Sequence, residues 1–306
     1  MARIDLPQRG LHLEYESHGS DTQPVVILIM GLGLQLVSWP PALIEAIVAA
    51  GYRVIVFDNR DIGLSSSGPL PRYTPAPRAM LAHLLHQNFT PPYRIADMAA
   101  DTLALAGALH IERFALVGIS LGGMVAQTVA ARARERVRSL VSMMSSAGPR
   151  TAPWPSPVLL WRFLQRPPKN VAFDTKLNHF VALMQALGNI HDPAELDTLR
   201  ERLSRSLQRA YNPAGAARQL LAVLADADRS AEVATIRCPT LILHGADDPL
   251  IPLPAAHHLA RLLPQARLEV IPRLGHYLPA VALPELARLT IEHLRASGLR
   301  DAGGKI

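Results

Sequence analysis

The sequence predicts an α/β protein: a mostly parallel central sheet with helices on both faces, and one all-helical cap inserted before the last strands. Three observations predict it. Short β-branched runs alternate with longer Ala- and Leu-rich stretches, the rhythm of strands joined by crossover helices. Residues 24–30 form an unbroken apolar run, as a strand covered on both faces requires. Residues 147–232 carry helical patterns only.

The elements follow in order. Residues 11–16 alternate like a hairpin strand, and 24–30 is the first fully buried strand. Residues 40–50 read as a helix with proline in its first turn, closed by Gly51. Strand 53–58 comes next. Residues 68–92 are proline-rich (Pro69, Pro71, Pro75, Pro77, Pro91, Pro92) around a short helical piece at 80–87. Helix 94–109, strand 114–119, helix 121–133 and strand 137–145 continue the alternation. Strand 240–244, helix 254–263, strand 267–271 and a helix at 283–295 complete it. Residues 1–146 and 233–306 therefore form the core. The insertion at 147–232 holds Trp154, Trp161, Phe163, Phe173 and Phe180. It reads as a helical cap over the carboxyl ends of the strands, where open α/β sheets bind their ligands.

Composition narrows the function classes. The chain has 306 residues, 49% of them apolar, which suffices for a large core without cross-links. Cys238 is the sole cysteine, so an internal disulfide framework and a Cys-based zinc site are excluded. Cys238 precedes a buried strand and reads as a packed small hydrophobe. No His-x-x-x-His pair or clustered Cys/His set is present, so neither metal nor cofactor is expected. The net charge is +6, but the basic residues are spread along the chain. The densest group, Arg132, Arg134, Arg136 and Arg138, is broken by Glu135. Solvated arginine faces account for this pattern, and no nucleic-acid partner is expected. The uncharged run 25–44 is interrupted by Gly31, Gly33, Gln35, Ser38, Pro40 and Pro41, so no stable membrane insertion is expected. The first residues lack an apolar signal segment, and the expected location is the cytoplasm. The oligomeric state stays open.

The strongest chemical signal is Gly118-Ile119-Ser120-Leu121-Gly122-Gly123, placed between a strand and a helix. That is the context of a nucleophile elbow. The sharp turn lifts the Ser120 hydroxyl over the sheet, and the Leu121 N–H at the helix start points where an oxyanion forms. A serine needs a base oriented by an acid, and in this class of site the chain order is serine, acid, histidine. Gly245-Ala246-Asp247-Asp248-Pro249 follows strand 240–244, and Leu274-Gly275-His276 follows strand 267–271. Both groups thus leave the carboxyl ends of late strands and converge above Ser120.

With these motifs the sequence resembles an α/β-hydrolase of the esterase type over nearly its whole length. The resemblance implies Ser120 as nucleophile, His276 as base and Asp248 as acid, with Asp247 as the neighbouring alternative. It also implies that the loop after the first buried strand donates a second N–H to the oxyanion. Met30-Gly31-Leu32-Gly33 places Leu32 there, with methionine where the family usually has histidine, so the loop must be held differently. Phe57-Asp58-Asn59-Arg60-Asp61-Ile62-Gly63-Leu64-Ser65 resembles the family's structural turn, with Asp61 replacing a glycine. Asp58 and Arg60 are expected to fix loops by ion pairing. The loop, the turn and the Leu274-Gly275-His276-Tyr277-Leu278-Pro279 end together resemble the branch containing aclacinomycin methylesterase. The expected activity is acyl-enzyme hydrolysis of a small-molecule carboxylic ester, short- to medium-chain or bulky and hydrophobic. Lactone or carbon–carbon bond hydrolysis with the same triad is the alternative, as is a non-catalytic small-molecule-binding protein on this fold.

Overall fold

A computed structural model describes residues 1–148, 165, 167 and 170–298. The core elements are β1 (Ala2–Leu6), β2 (Leu11–His18), β3 (Val25–Ile29), α1 (Pro41–Ala49), β4 (Arg53–Phe57), α2 (Ala76–Leu84), α3 (Ile95–Ala108), β5 (Phe114–Ile119), α4 (Leu121–Arg132) and β6 (Val137–Met143). Helices α5 (Phe173–Gly188), α6 (Pro193–Arg209), α7 (Pro213–Ala225) and α8 (Ser230–Val233) follow. The chain then returns through β7 (Thr240–Gly245), α9 (Leu253–Leu262), β8 (Arg267–Ile271) and α10 (Leu283–Ala296). Among the described residues, no helix is long and apolar enough to cross a membrane.

The eight strands form one sheet in the order β1-β2-β4-β3-β5-β6-β7-β8. The pairs β1/β2 and β2/β4 are antiparallel, and all later pairs are parallel. Strand β3 is flanked by β4 on one side and β5 on the other. The chain order reverses there, so the loops leaving β3 and β5 diverge and open a crevice at their carboxyl ends. The loop 30–36 and Ser120 leave the sheet at that crevice.

The period-2 pattern of β3 divides the core. Ile27 and Ile29 face a cluster built with Met98 and Leu105 of α3, Val125 of α4 and Leu259 of α9. Val26 and Leu28 face the opposite cluster with Leu43 and Ile47 of α1 and Leu289 of α10. Both faces are apolar, which is why residues 24–30 show no polar alternation. A third cluster, Leu177, Ile190, Leu199, Leu203 and Tyr277, joins α5 and α6 to the segment after β8.

Two elements differ from the expected ones. The first strand, β1, pairs with β2 through the register Ala2↔Tyr15 to Leu6↔Leu11. Only Leu6 of its side chains is buried, so hydrophobic patterning gives it no signal. Helix α2 spans Ala76–Leu84 rather than 80–87. Pro77 sits in its first turn, where a missing N–H costs nothing, and His86 adopts a positive φ of 54° just beyond its end. Helical patterning at 173–225 matches α5 to α7; Trp154, Trp161 and Phe163 lie outside the described residues.

The elbow imposes the strictest packing. A Cβ on Gly122 would lie 1.9 Å from the carbonyl oxygen of Ile29, and one on Gly118 would lie 2.3 Å from that of Gly122. Helix α4 can approach β3 and β5 this closely only without those side chains. Gly122→Ala is therefore expected to cost about 3 kcal/mol or more, because backbone rather than a flexible side chain must move. A thermal melt checks this; a Tm within a degree or so of wild type would contradict the packing described.

Candidate active site

Ser120 sits between β5 and α4 with φ 56° and ψ −122°. A non-glycine residue in this region carries backbone strain of about 1–3 kcal/mol. The surroundings hold it there: its N–H donates to the Met143 carbonyl at 2.9 Å, and its own carbonyl accepts from the Ser145 hydroxyl at 2.8 Å and the Met124 N–H at 3.1 Å. With the backbone so fixed, the Ser120 Oγ meets His276 Nε2 at 2.9 Å. His276 Nδ1 in turn lies 2.7 Å from Asp248 Oδ2. An ionised carboxylate has no proton to give, so Nδ1–H donates to it and Nε2 accepts from the serine hydroxyl.

Asp248 is buried, and its other oxygen accepts N–H groups from Leu250 at 2.9 Å and Ile251 at 2.8 Å. These bonds compensate the desolvation of the carboxylate and point Oδ2 at the imidazole. The adjacent Asp247 is exposed, and its backbone N–H donates to the Leu274 carbonyl at 3.1 Å. Of the two acids left open by the turn sequence, Asp248 is the one brought to His276. The His276 backbone N–H donates to the Leu187 carbonyl of α5 at 2.7 Å, so the inserted helices also brace the histidine.

Leu32 and Leu121 line the same cavity as Ser120 and His276. Leu121 opens α4, where N–H groups have no intrahelical acceptor and the helix dipole favours negative charge. The cavity holds about 360 Å³ and is walled chiefly by apolar side chains such as Met124, Phe180, Met184 and Leu220. Arg202 also reaches its wall, packed over the Tyr277 ring at 5.0 Å and paired with Glu195 at 3.1 Å. Burial holds this guanidinium below its ordinary pKa range.

The turn after β4 is a junction. Asp58 and Arg60 do form ion pairs, but with partners outside the turn. Asp58 Oδ2 accepts from Arg209 at 2.6 Å, while Oδ1 accepts from the Leu36 N–H at 2.7 Å. Burial pushes the Asp58 carboxyl above its usual range, and these donors oppose that. Arg60 pairs with Asp101 of α3. Asp61, at φ 72°, takes the Arg218 guanidinium in a fork at 2.9 and 2.7 Å. Arg209 and Arg218 belong to α6 and α7, so two of these acids tie the inserted helices to the core.

His244 is fully buried under Asp248, with Nε2 2.7 Å from the Ile251 carbonyl. Burial lowers its pKa below the ordinary 6.5, against the pull of that carbonyl and of Asp248. His293 on α10 is lowered by burial in the same way. A histidine whose folded pKa is depressed contributes stability above its unfolded pKa, and that stability is lost as pH falls below it. Tm should therefore drop between about pH 7.5 and 5.5. His293→Gln is expected to reduce that drop relative to wild type in parallel melts; equal slopes would contradict it. Cys238 is only partly exposed, and burial pushes its thiol up to about 11, in keeping with an unreactive packed group.

Known proteins share this fold. The family model described as alpha/beta hydrolase fold matches residues 24–282. Rhodomycin D methylesterase DnrP of Streptomyces peucetius is 30% identical, covering 92% of this chain and 94% of its own length. The pimeloyl-[acyl-carrier protein] methyl ester esterase of Nitrosomonas europaea is 34% identical over 66% of this chain and 81% of its own. Among solved structures, a meta-cleavage product hydrolase from Pseudomonas fluorescens IP01 superposes with a TM-score of 0.72, covering 95% and 96% of the two chains. At 21% identity it speaks to the fold alone.

Proposed function

From the premise that this chain belongs to the α/β-hydrolase family, we propose that it is a serine esterase that cleaves carboxylic esters through an acyl-enzyme. The observation that carries the proposal is the chain of contacts from Ser120 Oγ to His276 Nε2 to Asp248, set on the floor of an apolar cavity. Ser120 Oγ attacks the ester carbonyl while His276 Nε2 takes its proton. Asp248 stabilises the imidazolium and keeps the ring oriented. The N–H groups of Leu32 and Leu121 receive the tetrahedral oxyanion. His276 returns the proton to the leaving alcohol, then activates water to release the acid.

Residues 147–232 act in this reading as a cap whose helices α5 to α7 roof the cavity. The relatives named as methylesterases favour a small alcohol on a larger acid. The apolar wall fits a bulky hydrophobic acyl group. The test is the rate of hydrolysis of methyl esters of aromatic and polycyclic acids beside p-nitrophenyl esters of rising acyl length. Turnover of methyl esters that improves with apolar bulk supports the proposal. A folded protein that turns over no ester in either series overturns it.

A further inference from the structure

We infer that Gln219, on the inserted helix α7, is a positioning residue that holds the oxyanion loop in register. The inference rests on the esterase reading. Loop 30–36 follows β3. At its far end the Gln35 amide donates to the Ser206 and Ala210 carbonyls at 2.7 and 2.8 Å and accepts from Arg209 at 2.7 Å. The Met30 carbonyl accepts from Asn59 Nδ2 at 2.9 Å, and the Gly31 carbonyl accepts from the Leu34 N–H at 3.2 Å. The Leu36 N–H donates to Asp58 Oδ1 at 2.7 Å. The Gly33 N–H donates to Gln219 Oε1 at 2.9 Å.

The last bond matters most for chemistry, because Gly33 is next to Leu32. Gly33 has φ 73°, outside helix and strand, so no regular ladder supplies its N–H with an acceptor. Gln219 supplies one and thereby fixes the peptide plane between Leu32 and Gly33. The Leu32 N–H is then free to move only about the two backbone bonds of Leu32 itself.

Gln219 is itself held. It is fully buried, and its amide donates to the Arg60 carbonyl at 3.0 Å. One side chain of α7 thus bridges the loop after β3 and the turn after β4. The neighbouring Arg218 grips Asp61, and Asn212 just before α7 donates to the Asp61 carbonyl at 2.8 Å. The helix cannot shift without breaking this set. Seating of the inserted helices and assembly of the oxyanion site are therefore one event.

The experiment compares wild type with Gln219→Met and Gln219→Asn. Methionine keeps length and volume but offers no amide, and asparagine is one methylene too short to span both partners. Each is expected to lower kcat by about 100-fold, the scale of a misplaced oxyanion donor, with KM within about threefold. Affinity for an aryl trifluoromethyl ketone, which becomes an oxyanion on Ser120, should fall in parallel. A merely structural role would lower Tm without this parallel loss. The inference is overturned if either folded variant keeps kcat within about twofold of wild type, or loses kcat while ketone affinity is unchanged. Wild-type turnover is measured first, so an inactive wild type counts against the esterase reading. In that case the ketone affinities of the same variants still decide the role of Gln219.

Discussion

Ser120→Ala is expected to lower ester turnover by at least about 10⁴-fold while leaving the fold intact. The expectation comes from the division of labour in the site. Oγ is the atom of Ser120 that hydrogen-bonds His276, at 2.9 Å. The backbone bonds that hold the elbow, to Met143, Ser145 and Met124, use its N–H and carbonyl and survive the change. Alanine accepts the same φ of 56° at similar strain, so Tm should stay near wild type. Steady-state rates beside a thermal melt check both halves. Activity retained within about tenfold would mean that another group carries the chemistry.

The second large effect separates two neighbouring acids. Asp248→Asn is expected to cost about 10⁴-fold in kcat, and Asp247→Asn less than about threefold. An asparagine at 248 can still accept from the Leu250 and Ile251 N–H groups through its oxygen. It then turns an amide N–H toward His276 Nδ1, which must give up its proton to accept it. The ring is left in the wrong tautomer, with Nε2 unable to take the proton of Ser120. The exposed Asp247 side chain has no such contact. Kinetics of the two variants over the same ester read this directly, and equal losses would contradict the assignment of Asp248.

Much of this site was legible because its parts are local. Gly118 to Gly123 encode the elbow in six consecutive residues, and the acid and histidine each follow a recognisable strand. The buried strands were legible from their unbroken apolar runs. Choosing Asp248 over Asp247 rested on family likeness, since adjacent residues of one type differ only in which way the turn points them. Other features left no local trace. Strand β1 is stabilised by pairing with β2 and buries only Leu6. Arg218 and Gln219 are the polar side chains of an otherwise apolar α7, and Arg209 ends α6, with nothing nearby in sequence to mark their partners. Their partners Gly33, Asp58 and Asp61 lie some 150 or more positions away. Asp61 looked like a departure from a glycine position, yet its carboxylate is the anchor for Arg218. Long-range polar ties of this kind follow from the fold and have no periodicity of their own.

In the proposed mechanism Ser120 is an activated nucleophile served by His276. The most direct test is labelling with a fluorophosphonate, followed by peptide mass mapping. A single adduct on Ser120, lost in His276→Ala and slowed by a competing ester, is the predicted result. An adduct on another residue, or none on a folded wild-type protein, would contradict the account.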